Sequence, residues 1–396
     1  MQLSQRITGL TGGGSDGWEV FNKARQMIAD GLDVTELTIG EHDIRTAAPI
    51  LQEMHRTAMA GHTGYASVPG TNALRDTVAA RVSARTGVPT TRDNVLITPG
   101  GQAGLFAAHL AACDPGQTAL YIDPYYATYP GTLRGAGAVP LAIGAQPEDA
   151  FQPRAEEIAA HAPGAACLLI NTPNNPTGVV YARQTLEAIA DVCKTHDLWL
   201  ISDEVYDTQV WDGGHLSPRA LPGMADRTLV VGSMSKSHAM TGSRCGWVVG
   251  PQEVIAHLIN LATHTTYGVP GYIQDASCFA LDQGDAFEAE IAAPFLRRRA
   301  LAQDVLARQN TVGLVPAQGA MYLMLDVRAT GMTGEAFAYD LLDTHHIAVM
   351  PGESFGASAA GHIRVAMTVE DAAFVNALKT LVAHAEALTA RCAQSA

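Results

Sequence analysis

The sequence predicts an α/β protein with a large domain built on a mostly parallel sheet and a second, smaller α+β domain. Short apolar runs alternate with helix-length segments along the first two-thirds of the chain, which is typical of parallel strands buried on both faces. Unusual polar sequence follows each run. The length of 396 residues is more than one ordinary hydrophobic core requires, so two domains are expected.

Five apolar runs are predicted to be strands of the large domain. They are NVLIT (94–98), TALYI (118–122), ACLLI (166–170), LWLIS (198–202) and TLVVG (228–232). The segments that follow them contain a glycine pair, DPYYATY, NTPNNPTG, DEVY and SMSKSHAMTGSRCGW. Because ligands of open α/β sheets bind outside the carboxyl ends of the strands, these segments are predicted to form one site.

The pattern changes at about residue 284. A long charged amphipathic helix is predicted there, interrupted by Pro294. It is followed by a strand in GAMYLMLDV, a helix in GEAFAYDLLDTHH, a strand in IAVMPG and a final helix in DAAFVNALKTLVAHAEAL. We therefore predict an N-terminal arm with part of the small domain over 1–45, a large ligand-binding domain over 46–285 and a C-terminal small domain over 286–396.

Composition argues against several classes of function. The 25 lysines and arginines against 39 acidic residues give a net charge of −14, which disfavours nucleic acid and anionic membranes as partners. No apolar run reaches the roughly 18 residues of a membrane span, and the N-terminus lacks the apolar core of a signal peptide. The six cysteines show no CxxC spacing. A reduced, cytoplasmic enzyme is expected.

The segment SMSKSHAMTGSRCGW (233–247) concentrates reactive side chains in a chain that is poor in basic residues. The hydroxyls of Ser233 and Ser235, together with Arg244, form a suitable cradle for a phosphate. An amine beside that cradle, Lys236, can hold a carbonyl group as a Schiff base. The segment therefore predicts a ligand that carries both a phosphate and an aldehyde.

Residues at other strand ends can bind an aromatic ring that carries both the phosphate and the aldehyde. Asp203 ends an apolar strand and can hold a proton on a heteroaromatic nitrogen, although a helix cap is an equally good explanation of this residue alone. Tyr206 and Asn175 can each bond a phenolate oxygen, and Tyr126 offers a face for stacking. The glycines and glutamine at 100–102 open a helix whose N–H groups suit a phosphate. Together these groups describe pyridoxal 5′-phosphate.

The motifs NTPNNPTG (171–178), SDEVY (202–206) and SMSKSHAMTGSRCGW, in this order and spacing, resemble those of class I/II aminotransferases of fold type I, which depend on pyridoxal phosphate. The resemblance extends over nearly the whole chain. It implies a large domain with a mostly parallel seven-stranded sheet. It also implies transfer of an α-amino group from an L-amino acid to a 2-oxo acid by a ping-pong mechanism.

The resemblance assigns cofactor roles residue by residue. Lys236 matches the Schiff-base lysine and proton carrier, and Asp203 matches the partner of the ring nitrogen. Asn175 and Tyr206 match the residues that hold the ring oxygen, and Tyr126 takes the place of the stacking aromatic residue. Positions that bind the phosphate are matched by Gly101, Gln102, Ser233, Ser235 and Arg244.

Substrate and partner roles are implied in the same way. Arg364 matches the arginine that binds the substrate α-carboxylate, and Asn175 is also expected to bind the substrate. Gly40 matches the glycine that lies over the substrate. Tyr65 matches a tyrosine that reaches the phosphate in the other subunit, so a homodimer with active sites at the subunit interface is expected.

Several residues depart from the family pattern or lie outside it. His42 stands where proline is usual, Ser243 where a bulky residue is frequent, and Arg45 where the residue is commonly acidic or small. The departures at 42 and 45 concern the substrate contacts of the N-terminal segment and leave the cofactor chemistry intact. The adjacent His345 and His346 have no partner at ligand spacing and are interpreted as a solvated helix end rather than a metal site.

Three alternative functions are open at this point. The same cofactor contacts serve β-lyases, racemases and decarboxylases, since they do not determine which bond at Cα breaks. The fold also occurs as a ligand-sensing domain of transcription factors, but no DNA-binding module is visible before the first motif. GGQAG (100–104) suggests a dinucleotide fold, but it is not GxGxxG and would leave the lysine segment unexplained.

Five stretches resemble arginine:pyruvate transaminases more closely than aspartate or aromatic aminotransferases. They are HDLWLISDEVY, PGMADRT, SKSHAMTG, GWVVGP and SAAGHIR. With Arg364 as the one matched carboxylate-binding residue, we expect a monocarboxylic donor such as arginine and pyruvate as the acceptor. Arg45 is the counter-argument, because it could bind a side-chain carboxylate if the N-terminal segment folds over the site.

Overall fold

The computed structural model describes residues 1–13 and 17–395. The strands, in chain order, are β1 (Thr35–Glu36), β2 (Val95–Thr98), β3 (Thr118–Asp123), β4 (Val139–Gly144), β5 (Ala165–Asn171), β6 (Trp199–Asp203), β7 (Thr228–Ser233), β8 (Gly246–Val249), β9 (Gly313–Leu314), β10 (Tyr322–Asp326), β11 (Ile347–Ala348), β12 (Met350–Pro351) and β13 (His362–Ala366).

The helices lie between and after these strands. They are α1 (Gln5–Thr8), α2 (Glu19–Ala29), α3 (Ala48–Met59), α4 (Asn72–Thr86), α5 (Gly101–Ala112), α6 (Tyr129–Ala136), α7 (Ala155–His161), α8 (Arg183–Thr195), α9 (Met234–Ser237), α10 (Gln252–Thr263), α11 (Gly271–Leu281), α12 (Gly284–Leu306), α13 (Gly334–His345) and α14 (Asp371–Ser395). In the described part of the chain, no helix has both the length and the apolar character to cross a membrane.

The larger sheet contains seven of the described strands in the order β2-β8-β7-β6-β5-β3-β4. All neighbouring pairs are parallel except those that β8 makes with β2 and β7, which are antiparallel. Helices cover both faces. Leu105 of α5 packs with one face, and Leu186 of α8 packs with the other. The predicted fold class, a mostly parallel seven-stranded sheet with a smaller α+β unit, is confirmed.

The smaller antiparallel sheet has the order β12-β13-β10-β9, and β1 pairs in parallel with β11 beside it. Its core includes Phe337 of α13, Phe374 of α14 and Val20 of α2. Helix α2 and strand β1 of the N-terminal segment therefore pack with the C-terminal third of the chain. The boundaries proposed at 45/46 and 285/286 stay predictions.

Two details of the sequence prediction were wrong or incomplete. Helix α12 continues through Pro294 instead of being interrupted there. Proline has no N–H for the backbone hydrogen bond of the helix, but packing outweighs this loss, because Ile291 and Phe295 on either side belong to one buried face. Strands β4 and β8 of the large sheet were not predicted, and β4 gave little signal because it is an edge strand with exposed residues and a proline.

The sheet brings its functional side chains to one edge. Asn171, Asp203 and Ser233 end the adjacent parallel strands β5, β6 and β7. Helix α5 begins at Gly101, three residues after β2 ends. This is the edge at which an open parallel sheet offers a ligand crevice.

A buried ion-pair network fixes the segment that closes this edge. Arg298 of α12 is 3% exposed and donates to Asp43 at 2.6 Å and to Asp371 of α14 at 2.9 Å. The pKa values of both carboxyl groups are lowered. For Asp43 the guanidinium of Arg298 outweighs the cost of burial, and for Asp371 the hydrogen bond from Arg297 contributes most, with Arg298 adding to it. The segment that carries Gly40 is thereby attached to the two long C-terminal helices.

Candidate active site

A cavity of about 290 Å³ lies at the carboxyl edge of the large sheet. Its walls include twelve of the thirteen predicted site residues, Tyr65 being the exception. They are Gly40, Gly101, Gln102, Tyr126, Asn175, Asp203, Tyr206, Ser233, Ser235, Lys236, Arg244 and Arg364. Residues separated by more than 300 positions in the sequence thus share one cavity, as the strand-end pattern predicted.

Lys236 projects into this cavity from the short helix α9, which follows β7 directly. Its Nζ donates a hydrogen bond to the carbonyl oxygen of Gly40. Burial, together with the nearby guanidinium groups of Arg364 and Arg244, lowers the pKa of the amine to about 8. Glu41 opposes this shift. An amine with such a pKa is partly neutral near physiological pH and can act as a nucleophile or a base.

Asp203 presents a buried carboxylate to the same cavity. One of its oxygens, Oδ2, accepts a hydrogen bond of 2.6 Å from the hydroxyl of Tyr129, and Oδ1 accepts one of 3.3 Å from the N–H of Val205. Burial raises the pKa of Asp203 to about 6, against the effect of the Tyr129 hydrogen bond. A turn, not a helix, follows at 205–208, so the helix-cap explanation of Asp203 is wrong.

Arg364 lies on the opposite wall and is 1% exposed. Its Nη1 donates to Oδ1 of Asn175 at 2.8 Å, and Nη2 donates to the carbonyl oxygen of Thr38. The guanidinium lies between the rings of Tyr322 and Phe355, 4.3 and 4.4 Å from their centroids. Nε is buried and has no hydrogen-bond partner among the described residues. A cation held in this way offers remaining N–H groups to a carboxylate.

The third wall is rich in hydroxyl and N–H donors. Ser233 Oγ donates to Ser235 Oγ at 2.9 Å and accepts from the N–H of Ser235 at 3.1 Å. Arg244 adopts a left-handed backbone conformation (φ 52°), and its Nη1 donates to the carbonyl of Thr241 at 2.9 Å. Gly100 has φ 79°, and a Cβ there would collide with Nη2 of Arg244. Glycine therefore allows the guanidinium to approach the N-terminus of α5, which favours an anion.

Gln102 and Tyr126 complete the predicted set within the cavity. The amide of Gln102 donates from Nε2 to Thr132 Oγ1 at 2.6 Å and accepts from Thr128 Oγ1 at 3.2 Å. The ring of Tyr126 stands perpendicular to that of Tyr129, with centroids 5.8 Å apart. Tyr126 is the aromatic face available inside the cavity at the predicted stacking position.

Some predicted residues lie elsewhere. Tyr65 is 93% exposed and contacts the ring of Tyr267 at 5.2 Å. Arg45 is exposed and does not line the cavity. His42 is buried against Phe295, and burial followed by the charge of Lys236 lowers its pKa to about 3.

The histidines at the end of α13 have a partner that the sequence did not reveal. Nε2 of His345 lies 3.2 Å from Nδ1 of His384, whose Nε2 lies 3.0 Å from Asp340. The helix ends at His345, which is exposed as predicted. The sequence spacing gave no sign of this contact, because α14 brings His384 to His345 from 39 positions further along the chain.

Sequence reasoning missed several residues that line the cavity. Tyr129 bonds Asp203, Tyr322 bonds Tyr206, and the carboxylate of Glu41 accepts from Thr241 at 2.9 Å. Tyr129 lies in DPYYATY, which was noted as unusual polar sequence after a strand. Tyr322 and Glu41 carried no such signal, because one lies within an apolar strand and the other in a loop.

The comparisons with known proteins agree with this geometry. The sequence signature of the family described as aminotransferase class I and II matches residues 32–381. The arginine–pyruvate transaminase AruH of Pseudomonas aeruginosa is 41% identical over 372 residues, covering 93% of this chain and 94% of its own. The aspartate/prephenate aminotransferase of Thermus thermophilus is 34% identical, covering 88% and 90%.

Solved structures of aminotransferases have the same fold as this chain. The aspartate aminotransferase of Thermus thermophilus with maleate superimposes with a TM-score of 0.91 at 31% identity, covering 97% of this chain and 100% of its own. The aromatic aminotransferase of Pyrococcus horikoshii gives 0.86 at 28% identity, covering 93% and 99%.

The fold and the cavity define an α/β aminotransferase with a cofactor-binding crevice at the carboxyl edge of its sheet. This chain belongs to the class I and II aminotransferase family, and it is a transaminase that depends on pyridoxal 5′-phosphate. The described residues fit that cofactor. They offer a buried amine, a buried carboxylate and a donor-rich wall with a guanidinium and a helix N-terminus, which suit an aldehyde, a ring nitrogen and a phosphate respectively.

The lowered pKa of Lys236 gives a pH-dependent prediction for the cofactor-free protein. The folded-state value of about 8 lies below the ordinary 10.5, so the unfolded chain binds more protons between these two pH values. The contribution of Lys236 to stability is present above pH 10.5 and is lost as the pH falls through 8. We therefore expect Lys236→Met to raise the free energy of unfolding at pH 7 by about 3 kcal/mol, with a gain that declines between pH 8 and 10.5.

Urea unfolding at a series of pH values measures this difference. Lys194→Met is the matched control, since its amine is 40% exposed on α8 and should give no comparable gain at any pH. A gain for Lys236→Met that does not change with pH would contradict a desolvated amine.

Proposed function

We propose that this aminotransferase takes the amino group of a monocarboxylic L-amino acid, with arginine as the preferred donor and pyruvate as the acceptor. The observation that carries the proposal is the presence of one amine, one buried carboxylate and one buried guanidinium in a single cavity, those of Lys236, Asp203 and Arg364. The first two groups serve the cofactor and the third serves the substrate.

The cofactor roles are distributed over the three walls. Lys236 binds the aldehyde carbon, Asp203 pairs with the ring nitrogen, and Tyr126 stacks on the ring. Asn175 and Tyr206 donate to the ring oxygen. The phosphate is held by Gly101, Gln102, Ser233, Ser235 and Arg244. The unusual pKa directions of Lys236 and Asp203 support these roles, because titratable groups with shifted pKa values concentrate at functional sites.

When bound, pyridoxal phosphate supplies a conjugated ring that accepts the electron pair released as the donor's Cα–H bond breaks. Lys236 Nζ moves the proton away from Cα, which requires the neutral amine that a pKa of about 8 makes available. Asp203, with a pKa of about 6, is mostly ionised at neutral pH and keeps a proton on the ring nitrogen opposite it. Tyr129 supports this state, since its hydroxyl stabilises the carboxylate.

Arg364 orients the substrate. Its guanidinium is held by Asn175 and by two aromatic rings, so its plane is fixed before a carboxylate binds. Preorganisation of this kind reduces the entropy lost on binding and aligns the reacting bond. Gly40 lies over the cavity, and its carbonyl oxygen accepts from Lys236.

The lining charges favour a monocarboxylic, cationic donor. Within the described residues, Arg244 and Arg364 are the arginines that line the cavity, and the phosphate and the α-carboxylate occupy both. Arg45, the candidate second anchor for a dicarboxylate, does not line it. Glu41 contributes a carboxylate to the wall, which suits a guanidinium. The relative AruH, an arginine–pyruvate transaminase, supports the same donor.

A panel of amino donors, with pyruvate and 2-oxoglutarate as acceptors, tests the proposal. We expect arginine with pyruvate to give the highest kcat/KM. Aspartate and glutamate should be poor donors because their second carboxylate has no cationic partner in the cavity. If either dicarboxylate exceeds arginine and alanine by more than about a hundredfold, roughly 3 kcal/mol, the proposed donor class is wrong. Release of ammonia and pyruvate without an acceptor would instead indicate β-elimination.

We also propose that the active enzyme is a homodimer in which Tyr65 completes the partner's phosphate site. The side chain of Tyr65 is almost fully exposed and lies beside Tyr267, which is 52% exposed, and Met59 is 75% exposed. The rings of Tyr65 and Tyr267 pack edge to face, so together they form a contiguous apolar surface that a partner subunit can cover.

Hybrid dimers test the assignment of Tyr65. A Tyr65→Ala chain and a Lys236→Ala chain should each be nearly inactive alone. Co-expressed with different affinity tags, they should regain activity, because one site of the hybrid combines an intact Lys236 with an intact Tyr65 from the other chain. Hybrids that remain inactive, or an active protein that sediments as a monomer, would contradict the proposal.

A further inference from the structure

Tyr322, on β10, lines the cavity but was not predicted as a site residue. It is 2% exposed. Its hydroxyl lies 2.9 Å from the hydroxyl of Tyr206, and its ring lies 4.3 Å from the guanidinium carbon of Arg364. A Cβ at Gly40 would collide with the same hydroxyl. One side chain therefore contacts three residues whose proposed roles differ.

The hydrogen bond between the hydroxyls of Tyr206 and Tyr322 has a definite direction once Tyr206 donates its own hydrogen to the cofactor. A tyrosine hydroxyl has one hydrogen to donate and can accept at its oxygen. If the hydrogen of Tyr206 is directed to the ring oxygen of the cofactor, the hydrogen of the pair must come from Tyr322. A hydroxyl that accepts a hydrogen bond becomes a stronger donor, because chains of hydrogen bonds polarise one another.

The ring of Tyr322 has a separate role. Together with Phe355 it encloses the guanidinium of Arg364, at 4.3 Å on one side and 4.4 Å on the other. Contacts of a cation with two aromatic faces are favourable when the cation is desolvated, and Arg364 is 1% exposed. The ring thus fixes the plane in which Arg364 meets a carboxylate, and this function does not need the hydroxyl.

We propose that Tyr322 is a positioning residue with two separable parts. Its hydroxyl acts through Tyr206 on the ring oxygen of the cofactor, and its ring acts through Arg364 on the substrate carboxylate. The inference rests on the proposed roles of Tyr206 and Arg364. Tyr322 also limits how closely the segment at Gly40 can approach the cavity, since only a glycine fits against its hydroxyl.

Two substitutions in the holoenzyme separate the parts. Tyr322→Phe removes the hydroxyl and keeps the ring, whereas Tyr322→Leu removes both. Tyr181→Phe is the matched control, because Tyr181 is 3% exposed and does not line the cavity. The readouts are the pH midpoint of the bound cofactor's absorbance change, the KM for the amino donor, kcat and the thermal unfolding midpoint.

We expect Tyr322→Phe to raise the absorbance midpoint by roughly half a pH unit, since a weaker donor at Tyr206 stabilises the ionised ring oxygen less. Its KM should stay within about twofold of the wild type. Tyr322→Leu should show the same shift and, in addition, a KM at least about tenfold higher, because Arg364 loses one of its two faces. Tyr181→Phe should change neither the absorbance midpoint nor the KM for the amino donor.

An unshifted midpoint in Tyr322→Phe overturns the role of the hydroxyl, and equal KM values in the Phe and Leu variants overturn the role of the ring. If Tyr322→Leu does not fold, Tyr322→Met replaces it in the comparison of KM values. Failure of the proposed donor class is distinguishable, because it is read from the donor panel of the wild-type protein. The cofactor absorbance band would remain, and the Tyr322 variants would be compared with the donor that the enzyme does use.

Discussion

The site depends on one constraint, which is that the amine of Lys236 is largely removed from water. Burying a lysine amine in an apolar interior is expensive, and the protein reduces the cost through a hydrogen bond to Gly40 and the attraction of Glu41 and Asp203. The attraction is incomplete, since the pKa still falls to about 8. A partly neutral amine is the property that transamination needs, so stability is given up where reactivity is gained.

The sheet makes this arrangement possible. Three adjacent parallel strands end in Asn171, Asp203 and Ser233, so polar side chains from distant segments meet at one edge of the sheet. The small domain then closes the edge from the other side. It contributes Arg364 on β13 and Tyr322 on β10, which are paired antiparallel in the small sheet. Under the proposed roles, most cofactor contacts come from the large sheet, and the small sheet contributes the arginine for the substrate carboxylate.

Sequence patterns predicted the parts of this site that lie at strand ends. Asp203 and Lys236 follow apolar runs, where a charged side chain is unexpected unless it has a function, and the motif spacing then indicated the family. The contacts of Tyr129 and Tyr322 could not be predicted, because each partner is fixed by tertiary packing between segments 74 and 116 positions apart. Helix α12 shows the same limit, since a proline signals an interruption locally while the buried face on both sides of Pro294 maintains the helix.

The charge distribution of the cavity also explains why global composition was a weak guide to the substrate. The chain carries a net charge of −14, yet the cavity wall combines Lys236, Arg244 and Arg364 with Asp203 and Glu41. Local cations are what a phosphate and a carboxylate encounter, and they act at short range within a poorly solvated site. The distribution of the charges over separate walls determines which part of the ligand each one meets.

The covalent attachment of the cofactor tests the central claim most directly. Borohydride reduction of the holoenzyme, followed by proteolysis and mass spectrometry, identifies the lysine that carries the cofactor. The account predicts that the added mass is found on the peptide that contains Lys236, and that it disappears in Lys236→Ala while cofactor binding without a covalent bond remains. Added mass on Lys194 or another lysine, with Lys236 unmodified, would contradict it.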